Sequence, residues 1–205
     1  MTNNDEVDFY EGWVESEEER QSKIDLDIHN AITFAAKKHD GQKRKGTDIP
    51  YIVHPLEVMQ ILTENECEKE VIIAGILHDT LEDTDTKPEE ISRLFGDQIL
   101  SIVEAESEDK SKSWKERKQS TIDHLAGISF ESVLVCCADK LSNLRSMYVD
   151  LQDSGDKLWE RFNAGKDDIK WYYTSMVKEM SFLADYKMFV ELEYLIQEVF
   201  NNRNK

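Results

Sequence analysis

The sequence predicts an all-α protein, and three features carry that prediction. Val71-Ile72-Ile73-Ala74-Gly75-Ile76-Leu77 and Val133-Leu134-Val135-Cys136-Cys137-Ala138 are apolar on every side, as helices in the middle of a core are. Elsewhere apolar residues recur at helical spacing, as in Leu26, Ile28, Ile32, Phe34, Ala35 and Ala36. Finally, no stretch shows persuasive strand alternation, and there is neither an internal repeat nor a glycine-rich phosphate loop.

Residues 1–23 are rich in acids and short of periodicity, which reads as an acidic N-terminal arm pinned at most by Phe9, Tyr10 and Trp13. The first helix is expected from Asp25 to Lys38. The segment Asp40 to Pro50 breaks it with Gly41, Gly46 and Pro50 and gathers Lys43, Arg44 and Lys45 in an otherwise acidic chain. Pro55 suits the first turn of the next helix, which runs to about Thr63 with His54 at its N-terminus. A central helix then covers Val71 to Asp83. Its apolar run ends in His78-Asp79, with Glu82 and Asp83 one turn further on.

Thr86-Lys87-Pro88-Glu89 reads as a capping box opening a short helix that Gly96 ends. Asp97 to Glu106 forms another helix, Ser107 to Ser113 a loop, and Trp114 to Ala126 a further helix. Phe130 to Asp150 is a long helix whose apolar run ends in Asp139, followed by Lys140, Asn143 and Arg145. After Trp159 to Asn163 come two amphipathic helices. Ile169, Tyr172, Tyr173, Met176, Val177 and Met180 mark one, and Met188, Phe189, Leu192, Leu195, Ile196 and Val199 the other.

With 205 residues, 40% hydrophobic and 33% charged, the chain suits a soluble globular protein with a substantial core. No apolar run is long enough to span a bilayer, and the N-terminus lacks the basic start and apolar middle of a signal peptide. Cys67, Cys136 and Cys137 form neither a disulfide framework nor a CxxC site, which points to a reducing cytoplasm. The net charge of -18 argues against DNA or RNA as partners, because their binding rests on phosphate neutralisation. A small anionic ligand is compatible with that charge where basic residues converge on it. Oligomeric state leaves no mark in the sequence.

Ionisable groups buried at the end of a core helix are costly unless their charge is compensated. Two apolar runs here end in an aspartate, Asp79 and Asp139, and the first also carries His78. A shared metal ion compensates both, since imidazole and carboxylate together suit a hydrolytic metal. His29, His39 and His124 read as ordinary helix histidines.

His54, His78-Asp79 and Asp139 resemble the H…HD…D ligand set of the HD-domain metal-dependent phosphohydrolases. The resemblance extends to the hydrolase domain of RelA/SpoT-type alarmone enzymes and their small single-domain relatives. Their pattern HxGQxR, PYxxHP, HDxxED and ADxLxN is matched by His39 to Arg44, Pro50 to Pro55, His78 to Asp83 and Ala138 to Asn143. It covers about Asp25 to Asp150, and the segment Lys45 to Ile49 is one residue longer here than in the usual alarmone hydrolases. The resemblance implies an HD-domain helical bundle forming a single domain over 24–205, with a core at about 25–150 and a C-terminal helical extension at 151–205.

The resemblance also implies roles. His54, His78, Asp79 and Asp139 would hold one divalent ion, Mn²⁺ in the nearest relatives. Glu82 and Asp83 would position or deprotonate the attacking water. Arg44 and Lys45 would line a nucleotide pocket, and Asn143 would meet the sugar or phosphate. Such a site lowers the pKa of bound water, and adjacent carboxylates orient that water or take its proton. The implied reaction is removal of pyrophosphate from the 3′ position of guanosine tetra- or pentaphosphate. With no synthetase domain expected after the core, degradation alone is anticipated. A nucleotide 5′-monophosphatase or a phosphodiesterase is the alternative within the superfamily, and a non-catalytic metal- and nucleotide-binding module is the alternative outside enzymes. Glu82 and Asp83 beside a complete ligand set favour the enzyme, because storing a metal does not need them.

Overall fold

The structure is a computed structural model that describes residues 17–105 and 111–201. Its helices are α1 (Glu17–Lys38), α2 (Val53–Glu64), α3 (Lys69–Leu77), α4 (Thr80–Asp83), α5 (Pro88–Phe95), α6 (Asp97–Ala105), α7 (Trp114–His124), α8 (Phe130–Ser154), α9 (Lys166–Glu179) and α10 (Lys187–Phe200). Short 3₁₀ turns cover Gly155–Arg161 and Ser181–Leu183. Among the described residues there is no strand, only an isolated antiparallel bridge between Lys43 and Pro50. The all-α expectation holds.

The two all-round apolar runs form the centre. Every residue from Val71 to Leu77 of α3 is buried, and α3 packs against α1, α2, α6 and α8. Helix α8 is buried from Ser132 through Ser142 and packs against α2, α3 and α10. Contact between α2 and α3 is tightest at Gly75. A Cβ there would lie 2.4 Å from Leu62 Cδ1 and 3.1 Å from Val58 Cγ1. The core thus brings together the three helices that carry His54, His78 and Asp139.

Several boundaries differ from expectation. Of the acidic arm, residues 1–16 lie outside the described residues, whereas 17–23 are the opening turns of α1. Glu17-Glu18-Glu19-Arg20-Gln21 is a run of strong helix formers, so propensity extends the helix where apolar periodicity gives no signal. The single helix expected over Val71 to Asp83 is broken. His78 and Asp79 form a turn between α3 and α4, with Asp79 at φ -89°, ψ -5°. Side chains take over helix carbonyls at the break: His78 Nδ1 lies 2.8 Å from the Gly75 carbonyl, and Thr80 Oγ1 donates to Leu77 at 2.7 Å.

The cap of α5 sits one residue later than read. Lys87 is its N-cap, and Glu90 accepts from the Lys87 N–H at 3.0 Å, while Thr86 is buried and hydrogen-bonded to Thr84. Helix α8 runs on to Ser154, past the expected end at Asp150. The expected loop Ser107 to Ser113 falls mostly outside the described residues, but Ser113 caps α7 and Glu116 reaches back to its N–H at 2.9 Å. Cys136 and Cys137 are buried, and burial pushes the Cys137 thiol up to about 12, which favours its neutral form.

Gly75→Val is expected to lower unfolding stability by about 1–3 kcal/mol, because α2 and α3 must separate to admit the side chain. A fall in the urea midpoint checks this; an unchanged midpoint would show that Leu62 and Val58 yield freely.

Candidate active site

Helix α2 supplies His54 from its first turn, the α3–α4 turn supplies His78 and Asp79, and α8 supplies Asp139. The two imidazoles meet Nε2 to Nε2 at 3.2 Å. Asp139 Oδ1 lies 3.1 Å from His54 Nε2 and 3.8 Å from His78 Nε2. Asp79 Oδ2 completes the group at 3.0 Å from His78 Nε2 and 3.5 Å from His54 Nε2. His54, His78 and Asp139 are all buried.

Lone pairs crowded this closely away from water require a positive charge among them. Both imidazoles have their other nitrogen engaged, His54 Nδ1 with Ser142 Oγ and His78 Nδ1 with the Gly75 carbonyl, each at 2.8 Å. That arrangement turns Nε2 of each ring to the centre as a metal ligand does. Burial disfavours the charged His78 ring, but Asp79 and Asp139 outweigh it and hold its pKa up at about 9. At His54 burial prevails, and its pKa is lowered. Burial alone would also raise both aspartates, yet His78 beside Asp79 and Lys140 beside Asp139 hold them below the usual carboxylate range.

The cluster lies in the smaller of two adjoining cavities, and its His54 lines both. A larger one of about 470 Å³ carries Arg44, Lys45, Arg145 and Arg161 in its wall. A smaller one of about 300 Å³ carries Arg117, Lys118 and Lys140, with Trp114 and Tyr172. Tyr51, His54, Asn143, Met147 and Phe162 line both. Cationic side chains therefore line both cavities in a chain of net charge -18.

The HD-domain sequence profile matches residues 31–170. The chain belongs to the HD-domain family. Among curated proteins it is similar to a guanosine-3′,5′-bis(diphosphate) 3′-pyrophosphohydrolase MESH1 of Danio rerio, at 44% identity over 119 residues, 57% of this chain and 66% of that protein. It is 37% identical over 135 residues to the guanosine-3′,5′-bis(diphosphate) 3′-pyrophosphohydrolase of Aquifex aeolicus, covering 64% of this chain but 19% of that enzyme. Among solved structures it resembles a metazoan orthologue of SpoT that hydrolyses ppGpp, with TM-score 0.69 and 28% identity, over 84% of this chain and 94% of that one. A Listeria monocytogenes protein matches with TM-score 0.68 and 34% identity, over 73% of this chain and 99% of the other.

Within this HD domain the residues singled out from the sequence come to one place. Glu82 lines the smaller cavity, and Asp83 lies near the Tyr51 hydroxyl, 3.4 Å from it. That hydroxyl donates to Asp79 Oδ2 at 2.6 Å; burial and the charge of Asp79 push the phenol upward, so it stays a donor. Arg44 donates to Asn143 Oδ1 at 2.7 Å and its guanidinium lies 5.6 Å from the centre of the Tyr51 ring. Asn143 in turn donates to Asp139 at 2.5 Å. Lys45 lines the larger cavity and reaches Asn163 at 3.5 Å. Of the basic cluster, Lys43 instead pairs with the exposed Asp48.

The segment that carries Arg44 and Lys45 is a pinned hairpin, not a free loop. The Arg44 N–H donates to Ile49, and the Tyr51 N–H donates to Gln42, each at 2.9 Å. Gly41 and Gly46 take the left-handed φ values of 75° and 73° that its turns require. His29 and His124 are exposed, while His39 is buried beside Tyr51 with ring centres 4.8 Å apart. Sequence reasoning missed Tyr51 as the brace between Asp79 and Asp83. It also missed Arg161 and Phe162, which lie beyond the matched motifs; only the aromatic cluster Trp159 to Asn163 hinted at them.

Asp139→Ala is expected to abolish divalent-ion retention. Buried Lys140 and His54 would also each lose one charged partner, lowering metal-free stability by about 3–5 kcal/mol. Elemental analysis after dialysis checks the first and urea denaturation the second; full metal occupancy in the variant would contradict the assignment.

Proposed function

We propose that the chain is a metal-dependent nucleotide pyrophosphohydrolase that releases pyrophosphate from the 3′ position of guanosine tetra- or pentaphosphate. The observation that carries this reading is the convergence of buried His54, His78 and Asp139 in a cavity that also carries Arg117, Lys118 and Lys140, beside a second cavity that carries Arg44 and Lys45. The names of its relatives supply the substrate. A substrate with phosphate groups at two positions of a nucleoside fits two adjoining cavities that each carry cationic side chains.

His54, His78, Asp79 and Asp139 would hold the ion, Mn²⁺ by resemblance. When bound, such an ion lowers the pKa of water and offsets charge developing at phosphorus. The chain's own groups do the rest. Glu82 and Asp83 orient the attacking water and accept its proton, with Tyr51 keeping Asp83 in register with Asp79. Water oxygen bonds to the phosphorus attached at O3′, the bond from that phosphorus to O3′ breaks, and O3′ leaves with a proton. Lys140, buried against Asp139, faces the smaller cavity, where it and Lys118 meet phosphate charge. Arg44 and Lys45 line the nucleotide side, with Arg44 aligned by Asn143. Three cysteines with no CxxC spacing accord with a reducing cytoplasm as the compartment, and no described helix is long and apolar enough to cross a membrane.

The test is the purified protein with Mn²⁺ offered guanosine tetraphosphate and a panel of nucleoside 5′-monophosphates, with pyrophosphate and orthophosphate measured separately. Pyrophosphate released from the tetraphosphate alone is the expected result; orthophosphate from monophosphates would replace this reading with a 5′-phosphatase. Glu82→Gln and Asp83→Asn should keep the metal and lose roughly a hundredfold or more in turnover, the scale of a positioned acid–base group. Full turnover in both would leave the metal site as the whole catalyst.

A further inference from the structure

Ser142 is fully buried on α8, and its hydroxyl has one hydrogen to give. That hydrogen goes to Glu57 Oε2, 2.8 Å away, where the carboxylate oxygen accepts. The contact between Ser142 Oγ and His54 Nδ1, also 2.8 Å, must then run the other way, with Nδ1–H donating to the serine. A neutral imidazole protonated at Nδ1 has its lone pair on Nε2, the atom that faces His78 and Asp139. Glu57 is itself held. Arg145 Nη1 lies 3.4 Å from its other oxygen, and Arg145 is gripped by Glu191 of α10 through two bonds of 2.7 Å.

We infer that Ser142 is a positioning residue that selects the His54 tautomer for metal binding, and that Glu57, braced by Arg145 and through it by α10, fixes the serine's polarity. The inference rests on the proposed role of His54 as a ligand. It also gives the C-terminal helix a part in the site: Glu191 fixes Arg145, which otherwise could swing into the larger cavity whose wall it shares. Geometry suits the task. His54 and Glu57 lie one turn apart on α2, and Ser142 enters between them from α8.

The test measures Mn²⁺ affinity by titration calorimetry on metal-stripped protein. Wild type is expected to bind one ion. Ser142→Ala should bind it about 10–100-fold more weakly, the usual effect of removing a group that orients a ligand histidine, and should melt lower without metal because buried His54 Nδ1 loses its acceptor. Ser142→Thr, which keeps the hydroxyl, should restore most of the loss. Glu57→Ala, on a partly exposed side chain, should weaken binding in the same direction, and the double variant should be no worse than Ser142→Ala alone, because the two act through one path. Equal affinity in wild type and Ser142→Ala overturns the inference, as does full additivity in the double variant. Absence of Mn²⁺ binding by wild type would instead overturn the ligand reading on which it rests.

Discussion

Two imidazole nitrogens meet each other and two carboxylate oxygens inside the protein at separations of 3.0–3.8 Å, and the rest of the structure answers that constraint. Such a group is repulsive unless a cation or a shared proton sits in it. It therefore needs helices that cannot relax apart. Helices α2, α3 and α8 provide this because the residues around the cluster are core residues, and Gly75 lets α2 and α3 approach to side-chain contact distance. The apolar runs that make these helices insoluble on their own are what hold the polar centre together.

A second constraint is electrostatic on a larger scale. The chain carries 43 acidic against 25 basic residues, a poor surface for an anionic nucleotide. The fold resolves this by placing cations where they count. Arg44 and Lys45 ride on a hairpin pinned to the start of α2, and Lys140 follows Asp139 directly on α8. Arg145 and Arg161 are neutralised by Glu191 and Asp150, so they shape the larger cavity more than they charge it. Asn143 ties the two halves of the site, accepting from Arg44 and donating to Asp139.

Much of this was legible in the sequence. A helix apolar all round is readable from composition alone, and two of them each ending in aspartate announced a shared centre. The motif blocks then named His54 and the basic segment. What escaped reading was local or mutual. The break at His78 depends on side chains capturing the Gly75 and Leu77 carbonyls, a choice that periodicity does not register. Helix α1 begins early on propensity without an apolar stripe, and Lys87 caps α5 with an acid one position beyond the expected one. Ser142, Glu57 and Arg145 look like ordinary helix residues until α2 and α8 are packed. Arg161 and Phe162 join the site only because the chain after α8 returns to the cavity mouth, which no motif encodes.

The most direct test is crystallographic. Crystals grown with Mn²⁺ and measured at the manganese absorption edge should show one strong anomalous peak bounded by His54 Nε2, His78 Nε2 and the carboxylates of Asp79 and Asp139. Their Nε2 and Oδ atoms should stand at coordinating distance from the ion, about 0.1 Å beyond the zinc range. A structure saturated with Mn²⁺ in which that position is empty, or in which the peak lies among other residues, would contradict the account.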